Sequence, residues 1–385
     1  MRMALAASLL GIVAAACATA LPTPATPGQS PVVTAVPSVA ATVVPATPAN
    51  SPDTSTTAPS TDAPSASPQP TPEPSVATFG AWRERTDVAA GPSPREDHSW
   101  TVDADGAAAY LFGGRGDSDS NELWRFDLTS DTWAIVQPNS PGPSPRFGHT
   151  ATWVPGIGLV IWSGQSGSDF FADIWAYDPS ANAWRELPSL GAPPAARYGS
   201  CAALGPDGRL WISHGFTDAG RFSDTRAYDF ASGQWADVTP TGRVPVERCL
   251  QDCFWSASGQ FVLYGGQTTG VPALGDIWAL APDSGEWIKG PDTDAPARQL
   301  YALADVAGGA LVFGGGSLER NYLNDAWRID ATTLELSQVE QIEPLPSPRA
   351  GATLITDAGR GRLLLFGGVN DGGVLADLWE LPAAL

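Results

Sequence analysis

An arginine recurs in this 385-residue chain at a step of about fifty residues, at Arg95, Arg146, Arg197, Arg248, Arg298 and Arg349. That spacing narrows the possible folds more than any other feature. A unit repeated at such a period is one supersecondary element, which can bury its faces only against copies of itself. Each period carries the same punctuation. Two-residue alternation, with β-branched and aromatic residues, marks four short strands, as between Arg146 and Trp184. A glycine pair ends the second strand at Gly113-Gly114, Gly265-Gly266, Gly314-Gly315 and Gly367-Gly368, with Ser163-Gly164 and His214-Gly215 as variants. An acid stands two places before Trp124, Trp175, Trp278, Trp327 and Trp379, and in the third unit Arg226 takes the tryptophan's place. The fourth strand opens on Trp133, Trp184, Trp235 and Trp287, with Leu336 in the fifth unit.

The two ends of the chain set the number of units. Trp379 is followed by six residues, so the last unit lacks a fourth strand, whereas Trp82 stands one period before Trp133 with no strands ahead of it. The N-terminal strand is therefore expected to complete the last sheet, removing an edge that invites aggregation. The repeat resembles the kelch family, over almost everything from Phe79 onward, and within it the exported, lipoprotein-like bacterial proteins of the galactose oxidase-like superfamily. This resemblance implies an all-β, six-bladed propeller over residues 79–385, four antiparallel strands to a blade.

Residues 1–17 combine Arg2 with an apolar run from Ala4 to Ala16, the layout of an export signal. At about thirteen residues that run is too short to span a bilayer. Val13-Ala14-Ala15-Ala16-Cys17 resembles a bacterial lipoprotein box, with Ala14 where the box has leucine, and implies lipid attachment at Cys17; the alternative is cleavage nearby with Cys17 unmodified. Residues 18–78 are mostly Pro, Thr, Ser, Ala and Val. Such a composition buries too little apolar surface to offset its ordering entropy, so a disordered stalk of roughly 45 Å is expected. The predicted location is outside the cytoplasm, at the cell surface or the outer face of the cytoplasmic membrane, or secreted if no lipid is attached.

The formal net charge is −20; three of the 41 acids and one of the 21 bases precede Phe79, leaving −18 on the propeller. Nucleic-acid binding, which needs a basic surface, is excluded, and contact with a membrane is expected only through the lipid anchor. A monomer is expected. Three cysteines follow Cys17. Cys249 and Cys253 would lie roughly 13 Å apart on an extended strand, too far to bridge. Cys201 is therefore expected to pair with Cys249 or Cys253, leaving the third outside the bond. Neither these cysteines nor the calcium-like run Asp117, Asp119, Asn121 has the spacing of a metal site, and no cofactor is assigned.

Ten of the fifteen tryptophans are locked to the repeat and are expected to pack between blades. His98, His149 and His214 occupy repeat positions and are read as structural, so no catalytic residue is assigned. The arginines open the innermost strands, at the end where the loops between second and third strands emerge, so the six are candidate ligand-binding groups around one mouth. Kelch domains that bind peptides use arginines in sequences resembling Arg146-Phe147-Gly148-His149 and Arg197-Tyr198-Gly199-Ser200 to hold acidic ligands. The alternative is that Glu122, Asp173, Asp224, Asp276, Asp325 and Asp377, at the same end, pair them off. Phe170, Phe171, Phe216, Phe222 and Tyr322 are apolar groups in otherwise polar loops and complete the candidate site. The expected function is a recognition module for a protein, peptide or glycan. The alternative is a carbohydrate-active enzyme similar to the sialic acid mutarotases; the copper oxidases of the superfamily need a His and Tyr ligand set that this chain lacks.

Overall fold

The computed structural model describes residues 78–89, 91–317 and 322–384. The export-signal reading of 1–17, the lipid site at Cys17 and the stretch 18–77 lie outside the described residues. Six blades, each built on four antiparallel strands, stand around one axis, and in the third Leu190–Gly191 adds a short parallel strand beside Gln234–Trp235. From the axis outwards, the first blade consists of Ser99–Val102, Ala108–Phe112, Leu123–Asp127 and Thr132–Val136. The inner strands of the others are Thr150–Val154, Cys201–Leu204, Asp252–Trp255, Ala302–Val306 and Thr353–Asp357.

Second strands read as continuous apolar runs because neighbouring blades cover both of their faces. Ala108–Phe112, Gly158–Trp162 and Phe261–Tyr264 are buried at every position. Between blades the packing is largely aromatic: Trp162 meets Trp235 with centroids 5.7 Å apart, and Phe112 meets Trp184 at 5.3 Å. All fifteen tryptophans are buried or half-buried.

The ring closes as the chain ends imply. In the sixth blade Thr353–Asp357, Arg362–Phe366 and Leu378–Ala384 are joined by two N-terminal segments. Thr78–Phe79 pairs with Ala383–Ala384, and Arg83–Glu84 with Trp379–Glu380. Trp82 is buried against Phe313, centroids 5.1 Å apart, beside Trp379 and Leu381. An ion cluster fastens the seam. Arg85 pairs with Asp131 at 2.8 Å and Glu380 at 2.7 Å; Arg362 pairs with Asp131 at 2.6 Å, Asp357 at 2.8 Å and Glu380 at 2.8 Å. It joins the N-terminal strand, the first blade's last turn and the sixth blade. One disulfide, Cys201–Cys253, links the inner strands of the third and fourth blades with Cα atoms 5.6 Å apart. Cys249 is buried outside it.

Candidate functional site

The six repeat arginines do not line a mouth. Each is at most 2% exposed, and its donors are engaged within the fold. Arg146 donates from Nε to Ser144 O at 3.0 Å, from Nη1 to Ser163 O at 3.0 Å and Asp173 Oδ1 at 2.7 Å, and from Nη2 to Asp173 Oδ2 at 2.9 Å. Arg197, Arg248, Arg298 and Arg349 repeat this fork on Asp224, Asp276, Asp325 and Asp377, and Arg95 pairs with Glu122. The strand 3 acids thus take the arginines, because a desolvated guanidinium needs a fixed counter-charge and a carboxylate is the matching bidentate acceptor. Burial alone would raise these carboxyls, but the arginine hydrogen bonds and charge outweigh it and hold Asp173, Asp224, Asp276 and Asp377 below the usual carboxylate range.

The acid-x-Trp spacing has the same origin. Residues two apart on a strand share a face, and the indole Nε1 of Trp175 donates to Asp173 Oδ2 at 2.8 Å, as Trp124, Trp278, Trp327 and Trp379 do to their acids. In the third blade Arg226 Nε replaces the indole, 3.1 Å from Asp224 Oδ2.

Two residues past each arginine the backbone turns left-handed, and the six turns form a closed ring. The N–H groups of Gly148, Gly199, Leu250, Leu300, Gly351 and Asp97 each donate to the carbonyl of the equivalent residue in the preceding blade, at 2.8–3.1 Å. Their φ angles lie between 51° and 64°. Glycine suits this conformation, and a Cβ on Gly148 would also run into the ring of Tyr198. The glycine of the Arg-x-Gly sequences therefore serves the ring. Phe147, Tyr198, Phe216, Cys249 and the ring residue Leu250 form a buried apolar cluster, with Phe170 and Leu300 against it.

The aromatic loop candidates are drawn into the fold. Phe171 and Phe222 roof the guanidinium groups of Arg146 and Arg197 at 4.1 and 3.8 Å. Phe216 is buried and meets Phe170 edge-on at 6.2 Å. Tyr322 is half-buried, its phenol pushed up to about 12 by burial. The loops are tied together: Asp119 Oδ2 accepts from Ser166 Oγ at 2.8 Å and Gly167 N at 3.2 Å, and Arg221 Nη1 donates to Thr269 Oγ1 at 2.8 Å. Their tips expose Asp117, Asp169, Asp218 and Asp371. Among the described residues no group of three or more His, Cys, Asp or Glu side chains converges as a metal site.

The inner strands enclose an axial channel of about 590 Å³. Asp252 and Asp305 line it, on the fourth and fifth blades, and the sequence reading missed both. Desolvation inside the channel pushes the half-buried Asp252 up to about 7, with the Asp305 charge adding to the effect, and raises Asp305 in the same direction although its side chain is exposed to the channel. Tyr301 donates its hydroxyl to Tyr264 O at 2.7 Å and accepts from Asp252 N at 2.9 Å. A carboxylate interrupting an otherwise neutral inner strand was the available signal. The histidines are structural ties: His149 Nε2 meets Ser99 Oγ at 2.9 Å and His98 Nε2 meets Thr353 Oγ1 at 2.7 Å, each in the neighbouring blade. Burial pushes His149 and His214 down to about 3.

Comparison with known proteins places this geometry. The KLHDC2/KLHL20/DRC7 Kelch-repeats domain matches residues 78–266 and 251–384. The chain is 25% identical to the N-(sulfonatooxy)prop-2-enimidothioate sulfolyase of Thlaspi arvense, over 72% of this chain and 89% of that protein. It is 30% identical to serine/threonine-protein phosphatase BSL2 of Arabidopsis thaliana over 59% of this chain, and 25% identical to Kelch domain-containing protein 10 of Xenopus tropicalis over 67%. It spans 23% of the phosphatase and 66% of the Xenopus protein.

Proposed function

Since this chain belongs to the kelch-repeat family, we propose that it is an exported recognition module, tethered at its N-terminus, that binds a protein, peptide or glycan on the loop face of its propeller. One observation carries the reading. The repeat arginines and their acids are engaged inside the fold, whereas the residues individual to each blade gather at one end in loops pinned to one another through Asp119 and Arg221. A face held in place beforehand loses little entropy on binding. The chain enters the propeller at Thr78, beside Ala384, whereas Asp377 lies at the loop end of the same strand.

Glycan and peptide arrays probed with the full chain test this. A saturable ligand is expected, weakened by Asp169→Lys with Asp218→Lys and not by Asp105→Lys on the opposite face. Absence of any ligand, or indifference to the loop substitutions, refutes it. Labelling with a palmitate analogue tests the tether: incorporation is expected, and Cys17→Ala should abolish it.

A second reading, a sugar epimerase of the mutarotase type, is favoured by Asp252 and Asp305, two channel carboxyls raised toward neutrality, the condition for moving a proton. The similarity to a sulfolyase is compatible with a catalytic role. NMR of sugar anomerisation decides: a rate no faster than buffer removes it.

A further inference from the structure

We infer that the centre of the loop face receives an ammonium group, the side chain of a lysine or another primary amine carried by the partner, against Asp97 and Gln299. The inference rests on the recognition reading above and names the chemistry of the partner.

The residue after each repeat arginine surrounds the mouth: Glu96, Phe147, Tyr198, Cys249, Gln299 and Ala350, each bridged to the loop strand outside it. The sixth blade contributes the smallest pair there, Ala350 and then Gly351. Buried acceptors without partners stand in the blades on either side of that notch. Asp97, in the first blade, is 8% exposed. Its Oδ2 accepts from the Tyr198 hydroxyl at 3.3 Å, while its Oδ1 has no partner among the described residues and lies 2.7 Å from where a Cβ on Gly351 would sit. Gln299, in the fifth blade, likewise has a buried Oε1 without a partner. Buried acceptors are normally satisfied, and both of these call for a donor.

Charge narrows the choice of donor. Glu96 and Asp97 are two carboxyls side by side, and among the described residues Arg115 is the guanidinium that faces them, paired with Glu96 at 2.8 Å and lying 4.3 Å over the Phe147 ring. Burial, with the Glu96 charge beside it, raises the Asp97 carboxyl, as expected for an acid awaiting a counter-charge. The repeat arginines are neutralised below the surface, and the exposed acids Asp117, Asp169, Asp218 and Asp371 give the face a negative field. An ammonium carries three donors on a compact charge and gains further from aromatic faces such as Tyr198. The selectivity is therefore opposite to the grip on acidic ligands that an arginine mouth would provide.

The test titrates the full chain with two blocked peptides, one holding a single central lysine and its twin holding Nε-acetyl-lysine. The lysine peptide is expected to bind at least about tenfold tighter than the twin. Asp97→Asn should lower its affinity by a similar factor, since asparagine tolerates the left-handed backbone and keeps the shape but not the charge. Gln299→Leu should weaken it less. Should Asp97→Asn fail to fold, the comparison of the two peptides on the unaltered chain decides alone. Equal affinity for both peptides, or binding of neither, overturns the inference. If an array ligand binds the loop face and the lysine peptide does not displace it, the ammonium site falls while the recognition reading stands; if nothing binds that face, both fall.

Discussion

Replacing Arg146 by methionine keeps a long side chain in the core and removes four hydrogen bonds, two of them to Asp173. Removing one member of a buried ion pair costs about 3–5 kcal/mol, because the other is left desolvated and alone. Here the carboxylate has some relief. The Asp173 side chain is 25% exposed and still accepts from the Trp175 indole at 2.8 Å. The expected loss is therefore at the low end, about 3 kcal/mol, a large share of the stability of an ordinary domain. Asp173→Asn alone strands the fully buried Arg146 and should also cost about 3 kcal/mol, whereas the double variant, with neither charge left alone, should lose only about 1–2 kcal/mol, so the cycle should return a coupling of about 4–5 kcal/mol. Urea unfolding followed by tryptophan fluorescence reads all four corners. Affinity for any loop-face ligand should not change in the variants that fold. A methionine variant within about 0.5 kcal/mol of the parent, or one that folds normally but loses an acidic ligand, would refute the reasoning and return the arginines to the mouth.

Three further outcomes are expected. Arg85→Met should strip the seam of two strong ion pairs, lowering stability by about 2–4 kcal/mol and making the N-terminal strand more open to proteolysis than the blades; unchanged protection would contradict the latch. For Asp252 the folded pKa of about 7 lies above the ordinary 3.8, so the folded state keeps a proton that the unfolded chain gives up. Its contribution is full below about pH 4 and lost as pH rises toward 7, and Asp252→Asn should raise stability at pH 8 by about 2 kcal/mol with no gain at pH 4, allowing for its contact with channel water. A melting curve equal to the parent's at pH 8 would argue against it. Cys253→Ser opens a bond that closes a 52-residue span and should cost about 2–4 kcal/mol under oxidising conditions, with a smaller loss for Cys249→Ser. Equal losses would count against the pairing.

The architecture was legible because a contact made six times at the same offset leaves a period. The fifty-residue step and the glycine pairs report packing between like units, and Trp82 with no strands ahead of it implied the shared last blade. The same regularity was open to two readings at the arginines. An arginine and an acid about 27 residues apart in each blade are equally suited to ring a channel and to pair across it, and only the fold shows that the carboxylates arrive within hydrogen-bond distance.

The loops were placed correctly as the variable face, but Phe171 and Phe222 turned inward because each had a guanidinium beneath it to cover. The centre of that face was not readable at all. Tyr198 reaches Asp97 across 101 residues, and Arg362 meets Asp131 across 231. The amino-acid order thus determined the strands, the number of blades and the closure, whose contacts recur. Tertiary structure decided which polar groups are satisfied and which are left wanting a partner, because those contacts occur once, between segments that only the closed ring brings together.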